Sequence, residues 1–241
     1  MAFIDLHSHI LPGLDDGAPN PKTGLEMVRA LSGVGFTTIC ATPHQKDGQF
    51  LPALDRIRTA HADLRATVRA EGLPVNIPLA AENMWDNVFY ARCQDGSMPS
   101  YDDGPAFLFE LPLQPKLPMG LFDELFRLRR AGRLPVLAHP ERYEALWKND
   151  DLVARLASQC AMVIDLGALV GYHGRRRAKL ARKLVKAGTA HAAASDSHTP
   201  EDVLGAAEGI AWLAKKLGAA TVDRLLTVNP QAILTGQHPE S

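Results

Sequence analysis

The chain has 241 residues, of which 46% are hydrophobic and 22% charged, a composition typical of a globular protein that buries a core without disulfide bonds. Its 26 basic and 27 acidic residues give a formal net charge of −1 at pH 7, which argues against general adhesion to nucleic acid or to an anionic membrane. No secretory signal pattern is found, and no segment reaches the roughly 18 apolar residues of a membrane span, so we expect a cytoplasmic protein without membrane insertion.

Seven short apolar runs bounded by turn residues have the pattern of buried parallel strands. They are residues 2–6, 37–41, 75–81, 106–109, 134–138, 161–164 and 190–194. Helix signals lie between them, beginning with Asn20 as a cap and Pro21 at the first helical position. Later helices are predicted over residues 121–131, 175–187 and 201–217, with a last helix start at Asn229.

Strands that alternate with helices predict parallel pairing through right-handed crossovers. A chain of this length fits one α/β barrel, because such barrels span roughly 200–250 residues. Since seven strands are found instead of the eight of a regular TIM barrel, the expected fold class is α/β, a distorted (β/α)7 TIM-like barrel. Residues 1–241 are expected to form a single domain.

Histidines and carboxylates follow the ends of the predicted strands. They are His7, His9, Asp16, His44, Glu82, Glu110, His139, Asp196 and His198. Because the carboxyl ends of barrel strands face one mouth, these nine residues are expected to converge there. Imidazoles and carboxylates together suit a cluster of divalent cations that polarises a substrate and activates water. The sequence therefore predicts a metal-dependent hydrolase, whereas the three widely spaced cysteines match no structural zinc pattern.

Other polar residues near the strand ends have simpler interpretations. Asp15 lies in a turn, where an aspartate commonly hydrogen-bonds the backbone. Asp165 is interpreted as a structural acid or one that orients a ligand, and His191 as a packed, hydrogen-bonded residue. His61 and His238 are interpreted as surface residues.

The predicted charge of the site favours an anionic substrate. Three divalent ions bring six positive charges against four carboxylates, which leaves about two charges, enough to match a phosphate monoester dianion. Arg142 can offer a bidentate fork to phosphate oxygens, with a surface salt bridge as the alternative. Arg175 and Arg176 belong to the densest basic run, which is either a solvated helix turn or a substrate contact.

Four ordered motifs resemble the polymerase-and-histidinol-phosphatase (PHP) superfamily, and more narrowly the bacterial capsule-associated tyrosine-protein phosphatases of the CpsB/YwqE type. The motifs are HSHILPGLDDG at residues 7–17, ATPH at 41–44, LAHPERY at 137–143 and ASDSH at 194–198. The resemblance spans nearly the whole chain, including residues 167–174 and 229–234.

This resemblance implies a trinuclear site with three divalent metal ions, usually manganese, with iron or zinc as alternatives. One ion would be held by His7, His9, Glu82 and Asp196, a second by Glu82, Glu110 and His139, and the third by Asp16, His44 and His198. The implied activity is hydrolysis of phosphotyrosine in a protein by a metal-activated hydroxide. The implied partner is a bacterial tyrosine kinase of polysaccharide export, with a role in capsule or exopolysaccharide regulation.

Two residues outside the ligand set are assigned roles. By the resemblance, Arg142 matches the arginine that orients phosphate; independently of it, His173, which could reach the mouth from a loop, is the candidate to protonate the leaving group. Val203 occupies a position where the family commonly carries a second arginine. The run Arg175 to Arg177 is the candidate to replace it, with Arg175 and Arg176 as the predicted substrate contacts.

Three alternative functions stay open at this point. A small-molecule phosphatase of the same superfamily, acting on histidinol phosphate or a sugar phosphate, would keep all nine ligands. A nuclease would need a basic groove, which the near-neutral charge does not favour. A metal-binding regulatory module without activity is disfavoured because every ligand position is filled. The oligomeric state is left undetermined.

Overall fold

The structure is a computed structural model, and it describes residues 2–239. Its strands are β1 Phe3–Ser8, β2 Phe36–Ala41, β3 His44–Gln45, β4 Glu82–Met84, β5 Ala106–Glu110, β6 Leu134–Ala138, β7 Ala161–Asp165 and β8 Ala192–Ala194. Its helices are α1 Pro21–Val34, α2 Leu54–Ala70, α3 Asn87–Asp95, α4 Leu121–Arg130, α5 Asp150–Gln159, α6 Leu166–Val170, α7 Arg175–Lys186, α8 Asp202–Leu217, α9 Ala219–Asp223 and α10 Asn229–Leu234. No helix within residues 2–239 combines the length and apolar character needed to cross a membrane.

The strands are all parallel and form a distorted ring. β1 pairs with β2, and β3 to β8 follow one another in a second sheet. Two backbone hydrogen bonds of 2.9 Å, from His9 N–H to Ser197 O and from Asp196 N–H to His7 O, join β1 to the segment after β8. On the other side, Ile39 N–H donates to Asn76 O at 2.9 Å and connects β2 to the segment before β4. Because β3 follows β2 after two residues with no helix between them, the eight strands make seven βα units. The predicted α/β, distorted (β/α)7 TIM-like barrel is confirmed.

The third predicted strand is the main error in the element assignments. Residues 75–81 were expected to be a strand, but only single bridges at Asn76 and Leu79 join this segment to β2, and the regular strand begins at Glu82. Pro74 and Pro78 explain the difference, because a proline has no N–H to give to a sheet ladder.

Alternating residues along the strands fill two apolar layers. In β5, Ala106 and Leu108 belong to the cluster inside the barrel, whereas Phe107 and Phe109 belong to the cluster between the strands and the helices. Tyr101 packs in the inner cluster, and its hydroxyl donates to Leu6 O at 2.9 Å. A filled barrel interior leaves the mouth at the carboxyl ends of the strands as the place for chemistry.

The two histidines that were interpreted as surface residues, His61 and His238, are buried and half-buried. His61 is buried on α2 and donates from Nε2 to Ile77 O at 2.8 Å, and burial lowers its pKa. It lies on one helical stripe with Ile57 and Leu64, a periodicity that could have revealed it. His238 is half-buried and packs edge-on against His191 at 4.8 Å between ring centroids.

His191 is a buried, hydrogen-bonded residue, as predicted, although it immediately precedes β8. Its Nδ1 accepts from Met162 N–H at 3.0 Å, and its own N–H donates to Met162 O at 2.9 Å. Burial, assisted by the nearby His238 and Arg224, lowers its pKa from 6.5 to about 3. A neutral imidazole is therefore part of the connection between β7 and β8.

Acidification is expected to destabilise the fold through His191. Below pH 6.5 the unfolded chain binds a proton at this residue and the folded chain does not until about pH 3, so stability falls across that window. From pH 7 to pH 5 the loss is about 2 kcal/mol. The free energy of unfolding, measured with urea over this pH range, should depend less on pH for His191→Gln than for the wild type. An equal pH dependence of the two proteins would contradict the prediction.

Candidate metal centre

The nine predicted ligands converge at the carboxyl ends of the strands. Their donor atoms form four overlapping groups, each with atoms within 4.8 Å of one another. The groups are His9, Asp16, His44 and His198; His7, Glu82 and His139; His7, His9 and Asp196; and His44, Glu82 and Glu110. Together the groups contain all nine residues and no other. Their overlap makes one continuous cluster instead of separate sites.

Local backbone geometry aims several of these side chains inward. His7 and His9 lie two residues apart at the end of β1, and residues with this spacing point to the same side of an extended segment. Their Nε2 atoms are 3.1 Å apart. His139 and Asp196 have positive φ values of 34° and 48°, which are rare for residues other than glycine. His139 also precedes Pro140, which normally favours an extended conformation. Such strain is typical of positions held for function.

Glu82 occupies the centre of the cluster. Its Oε2 lies 2.9 Å from His44 Nδ1 and 3.3 Å from His7 Nε2, and its Oε1 lies 2.8 Å from His139 Nε2. Burial alone would raise the pKa of this carboxyl, but His7 and His44 hold it well below its usual range. A buried carboxylate surrounded by imidazoles on both oxygens is placed to bridge two cations.

Asp15 has a role that the sequence analysis missed. Its Oδ1 accepts from Gly17 N–H at 3.0 Å, the backbone bond that was expected. Its Oδ2 accepts from His44 N–H at 2.9 Å and lies 2.9 Å from His9 Nδ1. A carboxylate on Nδ1 fixes the ring so that Nε2 faces the cluster, as is common behind metal-binding histidines. No local signal could have revealed this role, because Asp16 follows the same H-x-H pair one residue later.

Buried polar atoms without hydrogen bonds test whether the cluster fits metal ions. Within residues 2–239, Glu82 Oε2, Glu110 Oε1, Asp196 Oδ1 and His44 Nδ1 are buried and form no hydrogen bond of acceptable geometry, although His44 Nδ1 lies only 2.9 Å from Glu82 Oε2. Unsatisfied acceptors of this kind are costly unless a cation lies between them. The mixed nitrogen and oxygen donors suit manganese, iron or zinc. The residues therefore fit a cluster of divalent cations.

Two imidazoles of the cluster, His44 and His9, bind protons more tightly than usual in the protein without metal. Burial would lower the pKa of His44, but Glu82 and Glu110 outweigh it and raise the pKa to about 11. Burial likewise opposes the nearby carboxylates of Asp15 and Asp196, which raise the pKa of His9 to about 9. Since a ligating imidazole must be unprotonated, metal binding should release protons and weaken as the pH falls.

Arg142 lies beside the cluster and is paired with two carboxylates. Its Nη2 lies 3.1 Å from Asp165 Oδ2 and also contacts Asp196 Oδ2. Burial would lower the pKa of Arg142, but Asp196 and Asp165 raise it above the usual range of arginine. These ion pairs lie at the mouth and not on the outer surface, and the contact of Arg142 with phosphate stays a prediction.

Asp165 links Arg142 to His173. Its Oδ1 caps α6 by accepting from Gly167 N–H at 2.7 Å, and its Oδ2 lies 2.5 Å from His173 Nε2. Asp165 thus has the structural role that was one of its two interpretations, and neither Arg142 nor His173 is among the nine predicted ligands. The side chain of His173 is 34% exposed, so it stays accessible from the mouth.

The arginines at the start of α7 point in different directions. Arg175 lines a groove with Lys179 and Lys186, and the guanidinium of Arg176 lies over the ring of Trp147 at 5.4 Å. The substrate contacts predicted for Arg175 and Arg176 stay predictions. Arg177, the third arginine of the run, is the one that lines a cavity next to the cluster.

This cavity, called the mouth cavity below, has a volume of about 310 Å³. It is lined by Arg142, Asp165, Gly167, Tyr172, His173, Arg177, Ser195, Asp196, His198 and Asp202. Arg177 forms no hydrogen bond or ion pair with any residue in the described range 2–239. Val203 is 3% exposed and packs in the apolar core, so this position gives the cavity no charge.

Comparison with known proteins places this geometry in a family. A family model described as capsular polysaccharide synthesis, CpsB/CapC, matches residues 3–235. The tyrosine-protein phosphatase YwqE of Bacillus subtilis is 29% identical over 238 residues, which cover 98% of this chain and 92% of the relative. The tyrosine-protein phosphatase CpsB of Streptococcus pneumoniae is 26% identical over 251 aligned positions, which cover 98% of this chain and 99% of the relative.

Solved structures agree with the sequence comparison. The chain matches a chain from the crystal structures of YwqE from Bacillus subtilis and CpsB from Streptococcus pneumoniae, which are described as unique metal-dependent tyrosine phosphatases. The match has a TM-score of 0.88 and 29% sequence identity, and it covers 97% of this chain and 95% of the solved chain. A lactonase from Listeria monocytogenes, at 11% identity and a TM-score of 0.55, shares the fold alone. With its family model matched over nearly its whole length, the chain belongs to the CpsB/CapC family of capsular polysaccharide synthesis.

Proposed function

We propose that this protein is a metal-dependent phosphomonoesterase, a protein-tyrosine phosphatase that hydrolyses phosphotyrosine. The observation that carries the proposal is the continuous cluster of nine imidazoles and carboxylates with the positively charged Arg142 and Arg177 at its edge. The relatives YwqE and CpsB, which the chain covers almost completely, are named tyrosine-protein phosphatases.

The cluster supports a site for three divalent cations, with manganese as our choice and iron or zinc as alternatives. We assign His7, His9, Glu82 and Asp196 to one ion, Glu82, Glu110 and His139 to a second, and Asp16, His44 and His198 to the third. Bound cations would polarise phosphate oxygens and lower the pKa of a coordinated water toward about 7. In the structure the donor atoms of Asp16, His44 and His198 also lie close to that of His9. The ring of His9 stacks on that of His198, with centroids 3.9 Å apart.

The residues of the mouth cavity would bind and orient the phosphate. Arg142 is held by Asp165 and Asp196 in a fixed position, and the rest of its planar guanidinium can donate to phosphate oxygens. Arg177 adds a second positive charge to the same cavity, which Val203 does not provide. Two guanidinium groups on one side of the cluster favour a dianionic phosphate over a diester.

His173 would supply the proton that the leaving phenolate needs. Its Nε2 lies 2.5 Å from Asp165 Oδ2, and a carboxylate partner fixes the orientation of the ring. The imidazole lies in the mouth cavity with Arg142 and Arg177, so a phosphate held by the arginines would present its ester oxygen nearby.

The family suggests the biological setting. We propose that the substrate is a phosphotyrosine protein, in particular a bacterial tyrosine kinase of polysaccharide export, and that dephosphorylation regulates capsule or exopolysaccharide synthesis. We further propose that residues 1–241 act as one domain in the cytoplasm. The match of one family model over residues 3–235 supports the single domain.

A substrate panel with manganese in excess tests the proposal. We expect kcat/KM for phosphotyrosine peptides to exceed that for phosphoserine peptides by about tenfold or more, because an aryl oxygen is the better leaving group. Histidinol phosphate and a sugar phosphate represent the small-molecule alternative, and a dinucleotide diester represents a nuclease. Preference for a small-molecule phosphate would replace the proposed substrate, cleavage of the diester alone would refute a phosphatase, and metal binding without hydrolysis would favour a regulatory module.

A further inference from the structure

Tyr172 is the only phenylalanine, tyrosine or tryptophan that lines the mouth cavity within residues 2–239. The other lining residues are charged or polar, apart from Gly167. A phosphate ester has an anionic end and an organic end, and the positive side chains account only for the first. Tyr172 is thus the apolar surface that the cavity offers to the organic group of a substrate.

The ring of Tyr172 is held in place although 52% of the residue is exposed. Its N–H donates to Gly167 O at 3.2 Å. A Cβ atom added at Gly205 on α8 would lie 3.2 Å from two carbons of the ring, and one added at Gly167 would lie 3.6 Å from the Cβ of Tyr172. These glycines form a seat for the aromatic side chain, because any larger residue at Gly205 would push the ring outward.

The loop that carries Tyr172 is closed by a backbone hydrogen bond of 2.9 Å from Gly174 N–H to Gly171 O. Gly171 and Gly174 have φ values of 98° and 92°, a conformation that other residues adopt at a cost. Between them, His173 is bound to Asp165. The hydroxyl of Tyr172 forms no hydrogen bond with any residue in the described range 2–239. The structure therefore positions the ring and leaves the hydroxyl and one ring face free.

We propose that Tyr172 determines the preference for aryl over alkyl phosphate esters, by packing its ring against the aromatic ring of the substrate. This inference rests on the proposed phosphatase function. Arg142 and Arg177 face the phosphate of the same ligand, so the cavity would recognise both ends of an aryl phosphate. Offset or edge-to-face packing of two aromatic rings favours binding beyond the area that it buries.

Binding of two phosphonates tests the proposal without turnover. Phenylphosphonate and methylphosphonate share the anionic group and differ in the ring, and calorimetry with the manganese-loaded protein gives both affinities. For Tyr172→Ala we expect phenylphosphonate to bind about fivefold more weakly and methylphosphonate to bind as in the wild type. In kinetics with phenyl phosphate, KM should rise while kcat is retained.

Two further variants separate a positioned ring from a merely structural one. Tyr172→Phe keeps the ring and should bind both phosphonates like the wild type, since the hydroxyl has no partner. Gly205→Ala should displace the ring and weaken phenylphosphonate selectively, while the melting temperature is retained because alanine favours a helix.

The outcomes distinguish this inference from the function on which it rests. If Tyr172→Ala weakens both phosphonates equally or neither of them, and phosphate esters are still hydrolysed, the role of Tyr172 is refuted and the phosphatase function stands. A wild-type protein that hydrolyses no phosphate ester and binds neither phosphonate refutes both.

Discussion

Replacing Glu82 by glutamine is expected to lower kcat/KM for an aryl phosphate by about 1,000-fold or more and to reduce the manganese bound by the protein. Glu82 contacts His7 and His44 through Oε2 and His139 through Oε1. The amide keeps the shape of the side chain but removes its charge and places N–H donors where lone pairs are needed. Loss of a bridging ligand should cost several kcal/mol of the stabilisation that cations provide, and each 1.4 kcal/mol is about tenfold in rate.

Glu141 offers a matched control for this substitution. It is as buried as Glu82, and its Oε1 accepts from Asp165 N–H at 3.2 Å, but it belongs to none of the ligand groups. Burial, together with repulsion from Asp165, raises its pKa to about 8, so a neutral glutamine resembles the form present at pH 7. We expect Glu141→Gln to retain activity and metal.

Metal analysis and steady-state kinetics on both variants decide the matter. Wild-type protein after chelation gives the activity without metal, and readdition of manganese should restore it. If Glu82→Gln keeps the metal content and kcat/KM of the wild type, Glu82 does not bridge cations and the assignment of the centre fails.

The ligand positions were predictable because they depend on one simple rule. In parallel βα units the strand ends face one mouth, so a histidine such as His44 or His139 could be placed without coordinates. The prediction tolerated the error at residues 75–81, because Glu82 lies on the mouth side of that segment whether the strand begins before or after it.

The supporting residues were less predictable, because their roles depend on side-chain direction. Asp15 and Asp16 are adjacent, yet Asp15 turns inward to His9 and Asp16 lies half exposed near His44 and His198. The left-handed backbone of Asp196 depends on bonds across the barrel, such as that from its N–H to His7 O. Neighbouring residues of one type can therefore have different functions that no local pattern distinguishes.

The helix α7 shows the same limit at the substrate side. Successive helical residues are about 100° apart, so three consecutive arginines must point in three directions. Which one faces the mouth depends on how α7 packs through Leu180 and Leu184. The sequence identified the basic run, and the packing selects Arg177 from it.

Replacing Arg142 by alanine is expected to have the second large effect, on both stability and activity. In the metal-free protein the buried carboxylates of Asp165 and Asp196 lose the cation that they share, and breaking a buried pair in this way costs about 3–5 kcal/mol. In the metal-loaded protein kcat/KM should fall about 100-fold or more, as it does when a preorganised donor to the transition state is removed. With manganese in excess, the metal content should be retained, because Arg142 itself is not a ligand.

Arg142→Lys tests whether the planar guanidinium is needed beyond its charge. A lysine ammonium keeps the positive charge between Asp165 and Asp196, so most of the stability should return. It cannot contact both carboxylates and a phosphate in one plane, so kcat/KM should stay at least about tenfold below the wild type. Recovery of stability without recovery of rate would separate the structural role of Arg142 from its role at the phosphate.

Arg29 supplies the matched control on the protein surface. It forms an exposed ion pair with Glu71, and such pairs are screened by solvent and contribute about 1 kcal/mol or less. Arg29→Ala should therefore leave kcat/KM unchanged and shift urea unfolding only slightly. If Arg142→Ala is as stable and as active as Arg29→Ala, the buried pairs with Asp165 and Asp196 hold neither the mouth nor the phosphate, and Arg142 has no part in the reaction.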